Sequence, residues 1–280
     1  PEEQYKLQTL LAELDRRERR TQCQENFLDF VVAQWPDFIS GAHHRRIAKL
    51  FEAVAAGEKK RIIINLAPRH TKSEFASYLF PAWFLGKYPK KKVMQVSNTA
   101  ELAEGFGRKV RNLLETEEYR NVFPEVELRS DSKAAGRWNT NFGGDYYATG
   151  VGAALAGRGA DIVIIDDPHT EQEALQAAFN PGVYDKVYEW YTTGPRQRLQ
   201  PGGAIIIVQT RWSLRDLTGQ ILENASNKPG SDQWEVFEFP AILPSGNPLW
   251  PEFWSKDALE AIRAEIPAGK WNAQYQQDPT

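Results

Sequence analysis

The sequence predicts an α/β fold in which helices cover a mainly parallel central sheet. Four short runs rich in β-branched residues are apolar on both faces, as buried central strands of a parallel sheet must be. Segments with helical periodicity separate these runs, and strand–helix alternation of this kind implies right-handed crossovers. The 280 residues, 41% hydrophobic and 25% charged, fit one large globular domain with or without a small appendage.

The elements are predicted from the periodicity of apolar residues. Strands are predicted at residues 61–66, 93–96, 162–165 and 204–208. Helices are predicted at residues 4–20, 43–56, 73–86, 99–115 and, with interruptions, 171–198. The pair Gly143-Gly144 lies between two alternating aromatic runs and indicates a β-hairpin. Four leucines of the first helix share one face, Leu7, Leu10, Leu11 and Leu14, and the charge run at 16–20 is interpreted as a solvated helix end.

Three regions are expected along the chain. Residues 1–57 hold the N-terminal helices, residues 58–221 hold the sheet core, and residues 222–280 form a small subdomain rich in proline and tryptophan. No internal repeat or low-complexity tract interrupts this order.

Charge and cysteine content exclude several classes of protein. With 34 Lys and Arg against 37 Asp and Glu, the net charge of −3 argues against a histone-like nucleic-acid binder, although a local basic stripe remains open. The single Cys23 excludes a disulfide framework and a thiolate zinc cluster, and it fits a reducing cytosol. No signal peptide or membrane-spanning apolar run is recognised, and the first residue, Pro1, indicates a trimmed form of a cytosolic protein.

The segment after the first predicted strand carries half of a phosphate-binding pattern. In the pattern G-x-x-x-x-G-K-[ST], Leu66 and Thr71 occupy the two glycine positions, and Lys72 and Ser73 occupy the last two. Amides at a helix start attract phosphate, a lysine there bridges β- and γ-phosphates, and a serine hydroxyl ligates Mg²⁺. A Lys-Ser pair at a helix start is common, so this segment alone does not decide the function.

The third predicted strand ends in two carboxylates, Asp166 and Asp167. Adjacent anions repel unless a cation or a polarised water lies between them. Asp166 is therefore expected to hold Mg²⁺, and Asp167 to polarise an attacking water. The alternative is a helix-capping pair before Pro168; with the lysine-bearing loop upstream, the nucleotide interpretation is favoured.

Four further polar residues each have a functional and a purely structural interpretation. Gln209 and Thr210 end the fourth predicted strand and are expected either to contact a γ-phosphate or to mark the strand's exit into solvent. Arg69 lies inside the loop, where a guanidinium adds bidentate charge to a phosphoryl group. Arg158, between Gly157 and Gly159, is expected to reach a neighbouring subunit, a surface-loop arginine being the alternative.

Taken together, these motifs resemble the ATPase domain of the tailed-phage terminase large subunit. The resemblance covers nearly all of the chain and depends on the order and spacing of its parts. They are the loop 67–74, the segments 138–140, 150–152 and 157–161, the strand end 164–168, the segment 209–212, and the stretches 249–251 and 274–279.

The resemblance implies a P-loop NTPase fold of the additional-strand catalytic type, with a small C-terminal lid, that uses ATP and Mg²⁺. Arg69 would be the arginine of the phosphate loop, Arg158 would act on a neighbour's ATP, and Thr210 would link hydrolysis to lid movement. Ser73 and Asp166 would hold the metal. The residues expected at the nucleotide are Pro68, Arg69, His70, Thr71, Lys72, Ser73, Glu74, Gln209, Thr210 and, on the adenine side, His43.

The sequence departs from the family pattern at three places. Thr71 replaces a glycine, which constrains the backbone. The carboxylate after Asp166 is an aspartate where the family has a glutamate, so either Asp167 reaches the water or Glu171 supplies the base; Asp167 is favoured. On the adenine side, the family's glutamine is absent, and His43 and His44 are the residues in its region.

By the same resemblance, the chain would form a ring, pentameric when docked on the portal of a procapsid, and would move double-stranded DNA inward in the cytoplasm of an infected bacterium. A small terminase subunit would be a further partner. The nuclease domain of complete terminases, which makes them endonucleases, is expected to be absent from this chain. The alternatives are a P-loop helicase or remodelling ATPase, and a catalytically silent ring scaffold that only binds nucleotide.

Overall fold

A computed structural model describes residues 2–280 and contains one eight-stranded sheet. The strands are β1 (Arg61–Leu66), β2 (Lys92–Ser97), β3 (Leu128–Ala134), β4 (Arg137–Thr140), β5 (Asp145–Gly150), β6 (Ala160–Asp166), β7 (Leu199–Gln209) and β8 (Glu235–Phe239). Their order across the sheet is β3-β4-β5-β2-β6-β7-β1-β8.

The helices precede, separate and follow these strands. They are α1 (Glu2–Glu25), α2 (Phe27–Gln34), α3 (Ala42–Ala55), α4 (Phe80–Lys87), α5 (Ala100–Leu114), α6 (Glu117–Val122), α7 (Glu171–Ala177), α8 (Asp185–Thr193), α9 (Leu217–Asn227), α10 (Lys256–Glu265) and α11 (Ala268–Gln274). A π-helix, Glu74–Leu79, leads directly into α4, and two short 3₁₀ turns, Pro181–Tyr184 and Pro195–Arg198, flank α8.

The mainly parallel α/β prediction is confirmed. The strands β5-β2-β6-β7-β1-β8 run parallel, and the two antiparallel pairs are β3–β4 and β4–β5. The hairpin predicted at Gly143-Gly144 is the β4–β5 connection. Because β6 and β1 both pair in parallel with β7, their carboxyl ends lie at the same end of the sheet, with one strand between them.

Alternate side chains of the central strands pack into two hydrophobic layers. On one face, Ile62 and Ile64 contact an aromatic cluster that includes Phe27, Phe51 and Trp83 from the helices before and after β1. On the other face, strand residues such as Ile63 pack against α8 and α9. Both faces of β1 are therefore buried, which is why its sequence is apolar throughout.

The segment from residue 222 onward is only partly a separate subdomain. Strand β8 pairs with β1 along its full length and extends the main sheet, so the sheet does not end at residue 221. The chain after β8 forms a small cluster around Ala241, Leu259 and Trp271, and this cluster packs on Ala67 of the loop that follows β1. The weak alternation of β8 and its position at the sheet edge explain why apolar periodicity did not reveal it.

The region predicted as one helix at 73–86 is a π-helix followed by α4. Phe80 donates its backbone N–H to the carbonyl of Phe75, five residues back. Pro81 follows at once; it lacks an N–H, and in an α-helix its ring would clash with the carbonyl four residues earlier. The wider π turn relieves this clash, and such turns are frequent at functional sites.

Helix α1 leaves its leucine face uncovered. The predicted amphipathic pattern is present, but none of the residues of α1 is buried, and Leu10 is 62% exposed. The helix is tied to the domain near its end, where Arg20 and Gln24 donate to the backbone carbonyls of Asn121 and Val122. Within residues 2–280, no helix combines the length and the apolar character that crossing a membrane requires.

Candidate active site

The structure brings the loop lysine and the strand-end carboxylates together. Lys72 Nζ lies 3.0 Å from Asp167 Oδ2, and the Ser73 hydroxyl donates to Asp166 Oδ1 at 3.0 Å. The Lys72 side chain is only 8% exposed. Burial disfavours its charged form, but the two carboxylates outweigh this effect and raise the pKa of Lys72.

Asp166 is fixed by hydroxyl groups on both oxygens. Ser77 donates to Oδ2 at 2.6 Å, and Gln95 Nε2 in turn donates to the Ser77 hydroxyl at 2.8 Å. Burial, and next the neighbouring charge of Asp167, raise the pKa of Asp166 to about 7, while Lys72 opposes the shift. A buried carboxylate with this much repulsion gains most from a cation beside it.

Asp167 is held in an uncommon backbone conformation that directs its carboxylate to the carboxyl ends of the strands. Its φ is +42°, its backbone N–H donates to the carbonyl of Val208 at 2.9 Å, and Oδ1 accepts the backbone N–H of Thr210 at 2.8 Å. The Thr210 hydroxyl donates to the carbonyl of Leu66 at 3.1 Å. The tips of β6, β7 and β1 are therefore bonded to one another around this carboxylate.

The loop between β1 and the π-helix contains two residues in the left-handed region. Arg69 has φ +59° and Thr71 has φ +71°, a conformation that costs a non-glycine residue about 1–2 kcal/mol. Contacts on several sides hold the loop: His44 Nε2 lies 2.6 Å from the Thr71 hydroxyl, and His70 Nδ1 lies 2.8 Å from the carbonyl of Pro68. Trp254, from the C-terminal cluster, donates its indole N–H to the carbonyl of Arg69 at 3.3 Å.

A cavity of about 610 Å³ opens beside the Lys72–Asp167 pair. Its lining includes Pro68, Thr210 and Gln274, so it lies between the loop, the strand tips and the C-terminal segment. A cavity of about 690 Å³ lies elsewhere, lined by Arg20, Lys87, Tyr88, Phe123 and neighbouring residues. That second cavity has neither the strand-end carboxylates nor the loop in its lining, so the smaller one is the better candidate for chemistry.

The residues of the site fit Mg²⁺. Asp166 and Ser73 present hard oxygen donors at 3.0 Å from each other, and Mg²⁺ is typically held by one or two such protein groups together with substrate phosphates. No cluster of three or more His, Cys, Asp and Glu that could bind a metal occurs in residues 2–280.

Other predicted nucleotide contacts lie around the loop. Glu74 is partly exposed at the start of the π-helix, and the Arg69 side chain is exposed. Glu171, the alternative base, is exposed at the first residue of α7 and lines the same cavity as Lys72.

Gln209 does not reach the phosphate side of the sheet. It is paired in register with Asn65 and belongs to the face covered by α9, where its amide donates to the Thr218 hydroxyl at 2.5 Å. The expected contact between the Gln209 side chain and a γ-phosphate is therefore corrected: the alternation of side chains along β7 turns this residue away, and only Thr210 stays at the tip.

His43 lies behind the loop in an aromatic cluster and not in the cavity. It is 2% exposed, with ring centroids 3.8 Å from His44 and 5.7 Å from Trp250. Neither ring nitrogen has a hydrogen-bond partner within residues 2–280. The structure thus gives His43 no open path to an adenine.

Arg158 and Asp166 lie at opposite ends of the same strand, β6. Arg158 precedes β6, whose seven residues separate the two by roughly 20 Å. Its guanidinium stacks on the Tyr147 ring, 4.1 Å from the ring centroid. Arg158 therefore cannot act on the phosphate site of its own chain.

Ser77 and Gln95 were not predicted from the sequence. Ser77 follows Ser73 by one helical turn, so the two side chains are expected on the same face. A buried glutamine in a central strand, such as Gln95, needs a hydrogen-bond partner. Both signals are present in the sequence, but neither identifies Asp166 as the shared partner.

Neither a protein family profile nor a curated protein matches this sequence. Solved structures do match. A single-residue variant of the large terminase ATPase domain of Thermus phage P74-26 aligns with 18% identity and a TM-score of 0.50, over 81% of this chain and 93% of that one. The large terminase of bacteriophage HK97 aligns with 12% identity and a TM-score of 0.53, over 85% of this chain and 50% of that one. The chain has the fold of phage large terminase ATPase domains.

A third terminase match carries a nucleotide. This large terminase, from another thermophilic bacteriophage and in complex with ATP-γ-S, aligns with 11% identity and a TM-score of 0.50, over 81% of this chain and 51% of that one. The chain thus spans about half of the HK97 terminase and of the terminase bound to ATP-γ-S, and nearly all of the P74-26 terminase ATPase domain.

Proposed function

We propose that this chain is the ATPase motor domain of a phage terminase large subunit, hydrolysing ATP to move double-stranded DNA into a procapsid. One observation carries the proposal: Lys72 and Ser73 of the loop contact Asp167 and Asp166 of the strand end, at 3.0 Å each. The shared terminase fold and the ATP-γ-S complex of a terminase with that fold support it.

Lys72, Ser73 and the amides at the start of the π-helix would bind the phosphates. The helix end and the ammonium attract negative charge, and Arg69, exposed on the loop, is free to add a guanidinium. Bound Mg²⁺ would neutralise charge on the β- and γ-phosphate oxygens. Ser73 and Asp166 would hold it, with Ser77 and Gln95 orienting the Asp166 carboxylate.

Asp167 would accept the proton of the attacking water. In the structure its Oδ2 is occupied by Lys72, while Oδ1 is fixed by the Thr210 N–H. A bound triphosphate competes for the Lys72 ammonium and frees Oδ2 at the place where the phosphate arrives. Substrate binding thus turns an ion-paired carboxylate into an available base.

The experiment compares Asp167→Asn with Glu171→Gln in single-turnover ATP hydrolysis, with Mg²⁺–ATP affinity measured separately. Loss of a general base lowers the rate by about 10²- to 10⁴-fold. We expect Asp167→Asn to show that loss while it still binds ATP, and Glu171→Gln to stay within a few fold of the wild type. The opposite pattern would assign the base to Glu171.

Lys72→Ala tests the phosphate site itself and is expected to lose nucleotide affinity. Unchanged ATP affinity in Lys72→Ala would remove the basis of the proposed function. If the variant still supported capsid filling with ATP bound, the silent scaffold would be the better interpretation.

Arg158 would act on the ATP of a neighbouring subunit. Because it lies far from the phosphate site of its own chain, the role we propose for it is on a neighbour, and an arginine supplied in this way is worth about 10³- to 10⁵-fold in comparable systems. Turnover of the isolated domain is therefore expected to be slow and to rise with protein concentration. Arg158→Ala should abolish that rise without weakening ATP affinity; equal losses of both would refute the assignment.

The proposed setting is a ring docked on the portal of a procapsid in the cytoplasm of an infected bacterium, with a small terminase subunit as a further partner. A packaging motor moves along duplex DNA without separating its strands. ATP-dependent unwinding of a forked duplex would favour the helicase alternative instead.

A further inference from the structure

The phosphate loop carries a threonine at a position where its pattern has glycine. Thr71 has φ +71°, and a β-branched residue is rarely found in this left-handed region. Glycine adopts the conformation freely, so the pattern normally needs no further support at this position. Some other group must hold Thr71 in place here.

The Thr71 hydroxyl is bonded from both sides. It donates to the carbonyl of His70 at 2.5 Å, and His44 Nε2 lies 2.6 Å from it. The second ring nitrogen of His44, Nδ1, accepts the backbone N–H of Gly41 at 2.8 Å. Because Nδ1 is the acceptor, the ring proton is on Nε2, and His44 donates to Thr71.

His44 itself cannot move away from this contact. Its ring is fully buried, and it packs edge-on against Phe38 and Trp250 with centroid distances of 4.7 and 5.0 Å. Gly41 is the N-cap of helix α3, which carries His44, and a Cβ at this position would lie 2.7 Å from the Trp250 ring. The imidazole is therefore a rigid donor fixed to the protein core.

We propose that His44 is a positioning residue that replaces the missing loop glycine: its hydrogen bond holds Thr71 in the left-handed conformation that the loop needs to bind phosphate. The part of this inference that concerns ATP rests on the proposed function. The part that concerns the conformation of the loop does not.

The test is a double-substitution cycle with His44→Phe and Thr71→Gly. Phenylalanine keeps the ring in its aromatic surroundings and removes the donor. We expect His44→Phe to weaken the binding of fluorescent ADP with Mg²⁺ by about tenfold, the change that corresponds to one hydrogen bond of ~1.4 kcal/mol. Added to Thr71→Gly, His44→Phe should cause no further loss of affinity, whatever the affinity of Thr71→Gly itself, because glycine needs no support.

Phe51→Leu is the matched control. It lies in the same helix, is buried and has no polar contact with the loop, so it should lower stability without changing ADP affinity. The amide of His44→Gln can donate in place of the imidazole. If this variant regains the ADP affinity that His44→Phe loses, the loss comes from the missing hydrogen bond and not from altered packing. Unchanged ADP affinity in His44→Phe, or a defect that Thr71→Gly leaves in place, would overturn the inference.

Urea unfolding of the wild type, His44→Phe, Thr71→Gly and the double variant gives a measurement that needs no nucleotide. His44→Phe should lower the urea midpoint when residue 71 is threonine, and lower it less when residue 71 is glycine. Equal decreases in both backgrounds would overturn the inference even if ATP bound normally. If the wild type bound no nucleotide while this coupling was present, the proposed function would fail and the role of His44 would stand.

Discussion

At the scale of single residues, the candidate site is assembled from polar groups that belong to separate elements and share partners. Asp166 illustrates this best, since one oxygen meets Ser73 and the other meets Ser77, which is itself held by Gln95. Both Ser77 and Gln95 are fully buried. Buried polar groups linked in this way are costly to leave unpaired, so the network fixes the carboxylate in one orientation.

Ser77→Ala is expected to damage the metal side of the site more than the nucleotide side. The substitution leaves Asp166 Oδ2 and the Gln95 amide without partners, which costs about 1–3 kcal/mol of stability. It also lets the carboxylate rotate away from Ser73. A titration of ADP binding against Mg²⁺ concentration should shift to several-fold higher Mg²⁺, with little change in the affinity measured without metal.

Ser97→Ala is the control for this prediction. Ser97 is equally buried and paired in register with Asp166, but its hydroxyl has no hydrogen-bond partner within residues 2–280. The Mg²⁺ titration of Ser97→Ala should match that of the wild type. An equal shift in both serine variants would show that the effect is unspecific.

At the scale of elements, two helices have a feature that their sequence pattern does not predict. The helix after the loop contains a π turn because Pro81 prevents regular α-helix bonding, and this turn carries Ser77. Helix α1 has its predicted amphipathic pattern, but its leucines stay more than half exposed. Most helical stability comes from packing an apolar face, so α1 should contribute little to the domain's stability.

Deletion of residues 2–15 should therefore leave the free energy of unfolding within about 0.5 kcal/mol of the parent, the usual range for surface changes. Urea unfolding followed by circular dichroism measures this directly. By contrast, Phe30→Ala in α2 removes a fully buried ring and should cost about 3–5 kcal/mol. A loss of several kcal/mol on deletion would mean that the leucine face is covered in solution.

At the scale of the whole molecule, three histidines are buried in a neutral form between the loop, α3 and the C-terminal segment. Burial, and next the other histidines, lower the pKa of His43 to about 4 and that of His44 to about 2. Burial also lowers the pKa of His70, although a bond to the carbonyl of Pro68 opposes it. These rings join distant parts of the chain, so their protonation affects the stability of the whole domain.

Stability should fall as the pH drops below about 6.5. In the unfolded chain histidine titrates near 6.5, so below that pH the unfolded state binds protons that the folded state cannot, and unfolding is favoured. Each histidine lowers the free energy of unfolding by at most about 1.4 kcal/mol for each pH unit below that value. Asp166, whose pKa is raised, acts in the opposite direction and offsets one such contribution.

His43→Phe isolates this effect. Because neither nitrogen of His43 is bonded within the described residues, the substitution removes a titrating group without breaking a hydrogen bond. The free energy of unfolding, measured by urea denaturation between pH 7 and 4.5, should decline less steeply in the variant, by about 1.4 kcal/mol per pH unit. Identical slopes for variant and wild type would show that His43 is protonated in the folded state.

The sequence was sufficient for the features that depend on local pattern. Runs such as Ile162–Ile165, apolar on both faces, predict a buried parallel strand, and a parallel sheet places the ends of β1 and β6 at one edge. These two facts put Lys72 and the Asp166-Asp167 pair at the same end of the sheet, and the strand order, with only β7 between β1 and β6, brings them into contact. The nucleotide hypothesis therefore needed only periodicity and the residues at strand ends.

Other features were decided only by the tertiary structure, because they depend on contacts between distant residues and on side-chain direction. The side of the sheet that Gln209 faces depends on the register of β7 against β1, and the bond from Thr210 to Leu66 joins residues 144 positions apart. His44 supports Thr71 because α3 packs against the loop, a relation that no local pattern encodes. Short-range pattern thus predicts which elements form and which ends meet, whereas the packing of those elements determines which polar groups become partners.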